Sequence, residues 1–192
     1  MPYSVNLDEI LKVIGSDAAT VKSVVDRVSK ETADEIESFD SDFEDEIDEG
    51  CPSALQAVEQ ILTGKAGTEF GFMYGYALKL LCETYGYMLE NDMWSAISGN
   101  NYIDKVDRVL KEHGLDIVSR LMYRQLPIEY PLPDDFPAIG YLSKKEVEQA
   151  YSSVSFDALK AIPGDEGRSA RQLYRWLEFC LNRGEDLVSF YH

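Results

Sequence analysis

Four prolines, Pro127, Pro131, Pro133 and Pro137, fall within eleven residues of the stretch PIEYPLPDDFPAIGYL. Each lacks an amide proton, fixes its own φ and pushes the preceding residue out of the helical region. No helix can run through this stretch, so it is expected to be an extended or turning surface segment. Helices must be sought on either side of it.

Before it, Tyr3, Val5 and Leu7 alternate with small or polar residues, which predicts a short strand, and Leu7 to Ile14 reads as a brief helix stopped by Gly15. Ser16 or Asp17 can cap the next helix. Its Val21, Val24, Val25 and Val28 recur at i, i+3, i+4 and i+7, one buried stripe. Residues 31–49 hold eleven acids and no base, with Ile36, Phe39, Phe43 and Ile47 three or four residues apart. This spacing predicts an amphipathic helix that is acidic on its outer face, weakened by repulsion and ended by Gly50 and Pro52.

Pro52 is suited to open a helix over Ala54 to Leu62, which Gly64 closes. A loop punctuated by Gly67, Gly71 and Gly75 is expected next, where Phe70, Phe72, Tyr74 and Tyr76 alternate. Helical spacing takes over from Ala77 through Leu78, Leu81, Cys82 and Tyr85. Further helices are expected at Tyr102 to Leu110 and Leu115 to Tyr123, separated by Gly114.

After the prolines, Ser143 and Glu146 form a capping box for a helix through Ala150, and Ser155 can cap a short one. Arg168 to Leu181 reads as the last helix, stopped by Gly184, and Asp186 to Tyr191 as a closing strand. The pattern predicts an α+β fold, predominantly helical, with a small sheet that includes the N- and C-terminal strands. Residues 1–192 read as a single domain with an acidic helical insertion at about 31–50, and neither repeats nor low-complexity linkers interrupt them.

Eighteen Lys and Arg stand against thirty-five Asp and Glu, a formal net charge of −17. Such a field opposes phosphate backbones and anionic headgroups, so neither nucleic acid nor membrane is an expected partner. It favours the approach of a basic protein. The N-terminus MPYSVNLDEILK lacks the features of a secretory signal, and the apolar stretch from Phe70 to Cys82, broken by Lys79, is too short to span a bilayer. Cys51, Cys82 and Cys180 are odd in number and far apart, which argues against a disulfide framework. A cytoplasmic protein is expected.

Catalytic equipment is scarce. The two histidines, His113 at a helix end and His192, leave little material for a triad or a His-based metal site. Glycine-rich phosphate loops are absent. Asp40, Asp42 and Glu44 alternate as in a calcium loop, but Asp45 stands at the turn-glycine position and Cys51 at that of the bidentate Glu, so no metal is expected. Cofactors are not implied either.

Arg168, Arg171 and Arg175 form a basic stripe whose simplest use is to support the acidic helix, with an anion site as the alternative. Phe70, Phe72, Tyr74, Tyr76, Tyr85, Tyr87, Trp94, Phe136 and Tyr141 read as core or as the lining of a small-molecule pocket. Asp134 and Asp135 are adjacent in an extended segment and point apart, which fits a turn better than a shared proton.

Several stretches carry a resemblance: the N-terminal strand with its Asp8-containing helix, ALQAVEQILTG, YGYALKLLC, LPDDFPAIGYLSKKEVEQ and LVSFYH. Together they resemble a bacterial family of domains without an assigned activity. More distantly, Leu62, Thr63 and Gly64 before a glycine-rich loop, and the stretch ending at Tyr141 and Leu142, are similar to the YfbM-like proteins. The resemblance implies a compact α+β fold with both chain ends in the sheet, and it brings no catalytic residues. The acidic insertion looks longer than in YfbM-like relatives.

Two readings of function follow. The first is a non-enzymatic binding protein, of the immunity or antitoxin kind, whose Asp42, Glu44, Asp45, Glu46 and Asp48 face a basic protein. The second is a small-molecule binding protein or enzyme with an aromatic pocket near Tyr74, Tyr76, Phe136 and Tyr141.

Overall fold

A computed structural model of the chain describes residues 1–94, 102–134 and 137–191. Asp135, Phe136 and His192, singled out above, lie outside the described residues. The elements run β1 (Pro2–Val5), α1 (Leu7–Val13), α2 (Ala18–Glu31), α3 (Ala33–Asp42), α4 (Glu44–Asp48), α5 (Ala54–Thr63), α6 (Gly71–Tyr85), β2 (Gly86–Met88), α7 (Tyr102–Glu112), α8 (Val118–Tyr123), β3 (Ala138–Leu142), α9 (Lys144–Ser153), α10 (Phe156–Lys160), α11 (Gly164–Arg183) and β4 (Asp186–Tyr191). The fold is α+β and mostly helical, with a four-stranded sheet in the order β2-β1-β4-β3.

The two terminal strands lie at the middle of that sheet. β1 pairs antiparallel with β4, Tyr3 opposite Val188 and Val5 opposite Asp186. All four residues of β1 are buried, as a strand covered on both faces requires. Tyr3 also meets the ring of Phe190 edge-on at 5.7 Å.

The packing gathers the chain into two compact units: Met1–Val5, Met88–Arg124 and Ile139–His192 form one, Asn6–Tyr87 and Gln125–Ala138 the other. In the first, α11 buries Ala170, Leu173, Leu177 and Cys180, spaced three and four apart, against β1, β4, α7, α9 and α10. The helix begins at Gly164, earlier than the Arg168 start read from the pattern. The first turn has no apolar stripe of its own, and at Gly167 a side chain would collide with the Ile162 carbonyl. Gly184, at φ +65°, ends the helix as expected, and Glu185 N donates to Cys180 O at 3.0 Å. β3 was not named from the sequence as a strand; Gly140 in it lets the Arg120 and Leu121 backbone approach where a Cβ would stand.

The second unit is built on α2, α5 and α6. Asp17 caps α2, accepting from Ala19 N at 2.9 Å and Thr20 N at 3.1 Å, and Val21, Val24 and Val28 are buried. Each such side chain contributes roughly 1.5 to 3 kcal/mol. α5 is started by Ser53 in a capping box with Gln56 and not by Pro52, which lies before the cap. Gly64, at φ +66°, closes it.

Two expectations fail in this unit. The alternation of Phe70, Phe72, Tyr74 and Tyr76 is not a loop or strand, because α6 already begins at Gly71, after Phe70 in the left-handed region at φ +57°. Nor is the proline-rich stretch wholly on the surface: Leu126, Ile128, Tyr130 and Pro137 are buried. One cause accounts for both. The extended segment lies in a notch on α6, where a Cβ on Gly71 would collide with the Leu132 carbonyl and one on Gly75 would stand 2.8 Å from Pro137 Cγ.

Candidate functional site

The acidic run forms two helices instead of one, α3 and α4, with non-helical breaks at Thr32 and Phe43. Neither contains a buried residue. Phe39 of α3 and Phe43 at the break rest on α6: Phe39 lies 4.4 Å from the ring centroid of Tyr76, and Phe43 4.7 Å from that of Phe72 and 5.5 Å from Tyr76. Residues 33–50 thus make a strap across α6.

One cation holds it. Lys79, on α6 and only 3% exposed, donates to Glu83 at 2.6 Å and to Glu35 of α3 at 3.1 Å, with its ammonium 5.4 Å from the Phe39 ring centroid. A lysine so buried needs paired carboxylates, and it has two. Glu35 keeps one oxygen, Oε2, buried without a partner. At the far end Asp40 accepts from Ala54 N at 2.7 Å, binding the strap to the first turn of α5. Asp42, Glu44, Asp45, Glu46 and Asp48 have no ion-pair partner among the described residues, and all but the half-buried Glu46 are exposed.

The strap alters the groups beneath it. Burial and then the charge of Asp42 push the Tyr76 phenol up from its ordinary value. Burial, then Glu46 and Asp40, push the Cys51 thiol up to about 11. Cys82 and Cys180 are raised to about 12 by burial, and all three cysteines are buried and unbonded to one another. A thiol held neutral in this way is a poor nucleophile.

The described aromatic residues of the expected pocket each have their own local partners. Tyr74 is buried, its hydroxyl donating to Gln60 Oε1 and accepting from Gly67 N at 2.7 Å, so it ties the loop before α6 to α5. Tyr76, two residues on, faces the strap. Tyr141 belongs to the other unit, its ring 4.3 Å from the Arg124 guanidinium. Asp134 is exposed at a bend.

The basic stripe has local uses. Arg168 pairs with Asp165, and Arg171 donates to the carbonyls of Leu159 at 3.2 Å and Ile162 at 3.3 Å. The cation that meets the strap's Glu35 is Lys79, a residue whose only sequence signal was its place, with Glu83 four residues on, inside an apolar helix. His113 hydrogen-bonds through Nδ1 to Val109 O at 2.8 Å, at the end of α7.

A second charged group sits at the start of α9, where the sequence shows the box of Ser143 and Glu146 but not its arginine partners. Glu146 accepts from Ser143 N at 3.0 Å, Ser143 Oγ at 2.6 Å, Arg124 Nη1 at 2.6 Å and Arg120 Nη1 at 3.1 Å. Burial would raise its pKa, but the hydrogen bonds from Ser143 and Arg124 prevail and hold it at about 2. The same unit contains an apolar cavity of about 40 Å³ beside Leu121, Trp176 and Phe190. Ser189 on its wall donates to Leu121 O, and Asn91 accepts from Trp94 N at 3.0 Å.

The profile of a domain of unknown function, DUF7691, matches residues 1–192. The chain belongs to the DUF7691 family. No curated protein and no solved structure matches it. Among the described residues of this DUF7691 member, no group of three or more His, Cys, Asp or Glu is placed to hold a metal ion, and no helix is long and apolar enough to cross a membrane.

Proposed function

We propose that this DUF7691 member is a non-enzymatic binding protein whose acidic strap receives a basic protein partner. The observation that carries the reading is the orientation of α3 and α4. Phe39 and Phe43 are turned onto α6, while Asp42, Glu44, Asp45 and Asp48 are exposed and have no ion-pair partner among the described residues. Unpaired carboxylates on a preformed support steer a cationic surface into register at little conformational cost. An immunity or antitoxin role, covering the basic site of a toxin in the cytoplasm, has this chemistry.

Capture of partners from the source cell at low and at high salt, with wild type and with a variant carrying Asp42→Asn, Glu44→Gln, Asp45→Asn, Glu46→Gln and Asp48→Asn, tests the proposal. A basic protein held by the wild type at low salt and not by the variant is the expected result. The variant should also associate more slowly and with a flatter salt dependence, since steering is screened within about 8 Å at physiological ionic strength. Equal association rates for both proteins would remove the strap from recognition.

A further inference from the structure

The strap packs on α5 and meets α6 through side chains. Glu35 meets Lys79, Phe39 and Phe43 lie on Tyr76 and Phe72, and Asp40 accepts one amide of α5. No residue from Ala33 to Gly50 is fully buried. Its ends are a break at Thr32 and Gly50 at φ +108°, a conformation that side chains rarely adopt. Ten acids and no base lie between residues 33 and 49, so the strap repels itself, while among the described residues Lys79 is the cation that pairs with it. Segments with few buried apolar contacts open first.

Cys51 closes the far end. Its amide donates to Glu46 O of α4 at 2.9 Å, and its thiol is buried beside the charges of Glu46 and Asp40. Protection of this thiol therefore depends on the strap, whereas Cys82 belongs to α6 and Cys180 to α11.

We propose that residues 33–50 are a displaceable strap that undocks from α5 and α6 as one piece while α2, α5 and α6 stay folded, and that the strap's own charge sets the docking equilibrium. Neutralising the strap tightens it; leaving its charges unscreened loosens it. Undocking bares Phe72, Tyr76 and Lys79 together, a surface that takes an acidic helix with aromatic residues four apart, as α3 and α4 present now. The response to salt needs no partner. Only the naming of a basic protein as a natural neutralising agent rests on the function proposed above.

Alkylation by N-ethylmaleimide, followed at each cysteine by peptide mass spectrometry, tests this. The reagent is neutral, so surface charge does not alter its approach. Cys51 should react first, and its rate should fall several-fold as salt rises from about 10 mM to about 1 M, over which the screening length contracts from roughly 30 Å to 3 Å. Salt acting on the thiol directly would do the reverse, because screening Glu46 and Asp40 eases its ionisation. Phe39→Ala with Phe43→Ala should accelerate Cys51 about tenfold and leave Cys82 and Cys180 protected. Should that variant not fold, Glu35→Gln gives the same sign with a smaller change. Salt that speeds Cys51, or three cysteines that react together in every variant, would overturn the strap; a strap confirmed by salt but indifferent to a captured basic protein would overturn only the partner.

Discussion

Two faces of α6, one residue apart in register, are covered in opposite ways. At Gly71 the backbone of Leu132 and Pro133 occupies the space of a side chain, and at Gly75 the rings of Pro137 and Pro133 do. Along Phe72, Tyr76 and Lys79 the strap is held off by long side chains. The first contact has no slack, since neither backbone can rotate out of the way. The second is made of rings and a flexible ammonium, which can separate and meet again. Contact chemistry, not helix propensity, decides which cover is permanent.

The largest expected effect breaks the permanent cover. Gly71→Ala puts a methyl group on the Leu132 carbonyl, 2.8 Å from Pro133 N, and should lower unfolding stability by about 3 kcal/mol in urea titration. Gly75→Ala should cost less, because its nearest neighbours are ring carbons of Pro137, at 2.8 and 3.0 Å, that can pucker aside. A Gly71→Ala protein as stable as wild type would mean that this segment, too, is loosely laid on α6.

Glu146 offers a reference carboxylate, one facing two arginines where Lys79 faces two glutamates. Its pKa is depressed from 4.5 to about 2. The stability it contributes is therefore complete above about pH 4.5 and is lost as pH falls towards 2. The loss should be roughly 2 kcal/mol after allowance for its partial exposure, and Glu146→Gln should flatten that part of the pH profile. An unchanged acid limb in the variant would show that the arginines leave this carboxylate unperturbed.

What the sequence made legible was local. The Ser143 and Glu146 box and the helix-ending Gly64 and Gly184 each act within a turn of where they stand and are legible in the sequence, and of the two candidate caps Ser16 and Asp17 the structure uses Asp17. The start of α6 was not legible. Gly71 and Gly75 look like loop residues until Leu132 and Pro137, some sixty positions away, are seen lying against them. Lys79 is visible in the sequence only as a break in an apolar stretch; its pairing with Glu83 follows from the helix, and Glu35 is added by tertiary packing. The acids of the strap are readable as a group from their density, though not that Glu46 is half-buried, whereas Tyr74 and Tyr76, close in sequence, serve different neighbours.

A smaller effect is expected at the ionic anchor. Lys79→Met leaves Glu83, with a side chain 14% exposed, without its cation, while Glu35, 40% exposed, can turn to solvent. A loss of about 1 kcal/mol follows, well below that for a fully enclosed pair. Adding Glu83→Gln removes that negative charge and should recover part of it. Failure of the second substitution to help would place the anchoring energy in Glu35 and make the strap less detachable than the contacts imply.

The smallest expected effect is the most discriminating. Replacing Asp42, Glu44, Asp45, Glu46 and Asp48 by their amides removes five charges that have no ion-pair partner among the described residues, so no attractive pair is broken. Repulsion at close spacing along a helix costs only a few tenths of a kcal/mol per pair, and solvent screens it. Unfolding free energy should therefore stay within about 0.5 kcal/mol of wild type, with any change upward. The difference should also shrink as salt is added, because salt and substitution remove the same repulsion. A drop of several kcal/mol would mean that these carboxylates support the fold, making the outer face as permanent as the glycine face. Stability that holds steady while association with a basic partner slows would separate the two roles on one helix, fold on the side of Gly71 and recognition on the side of Tyr76.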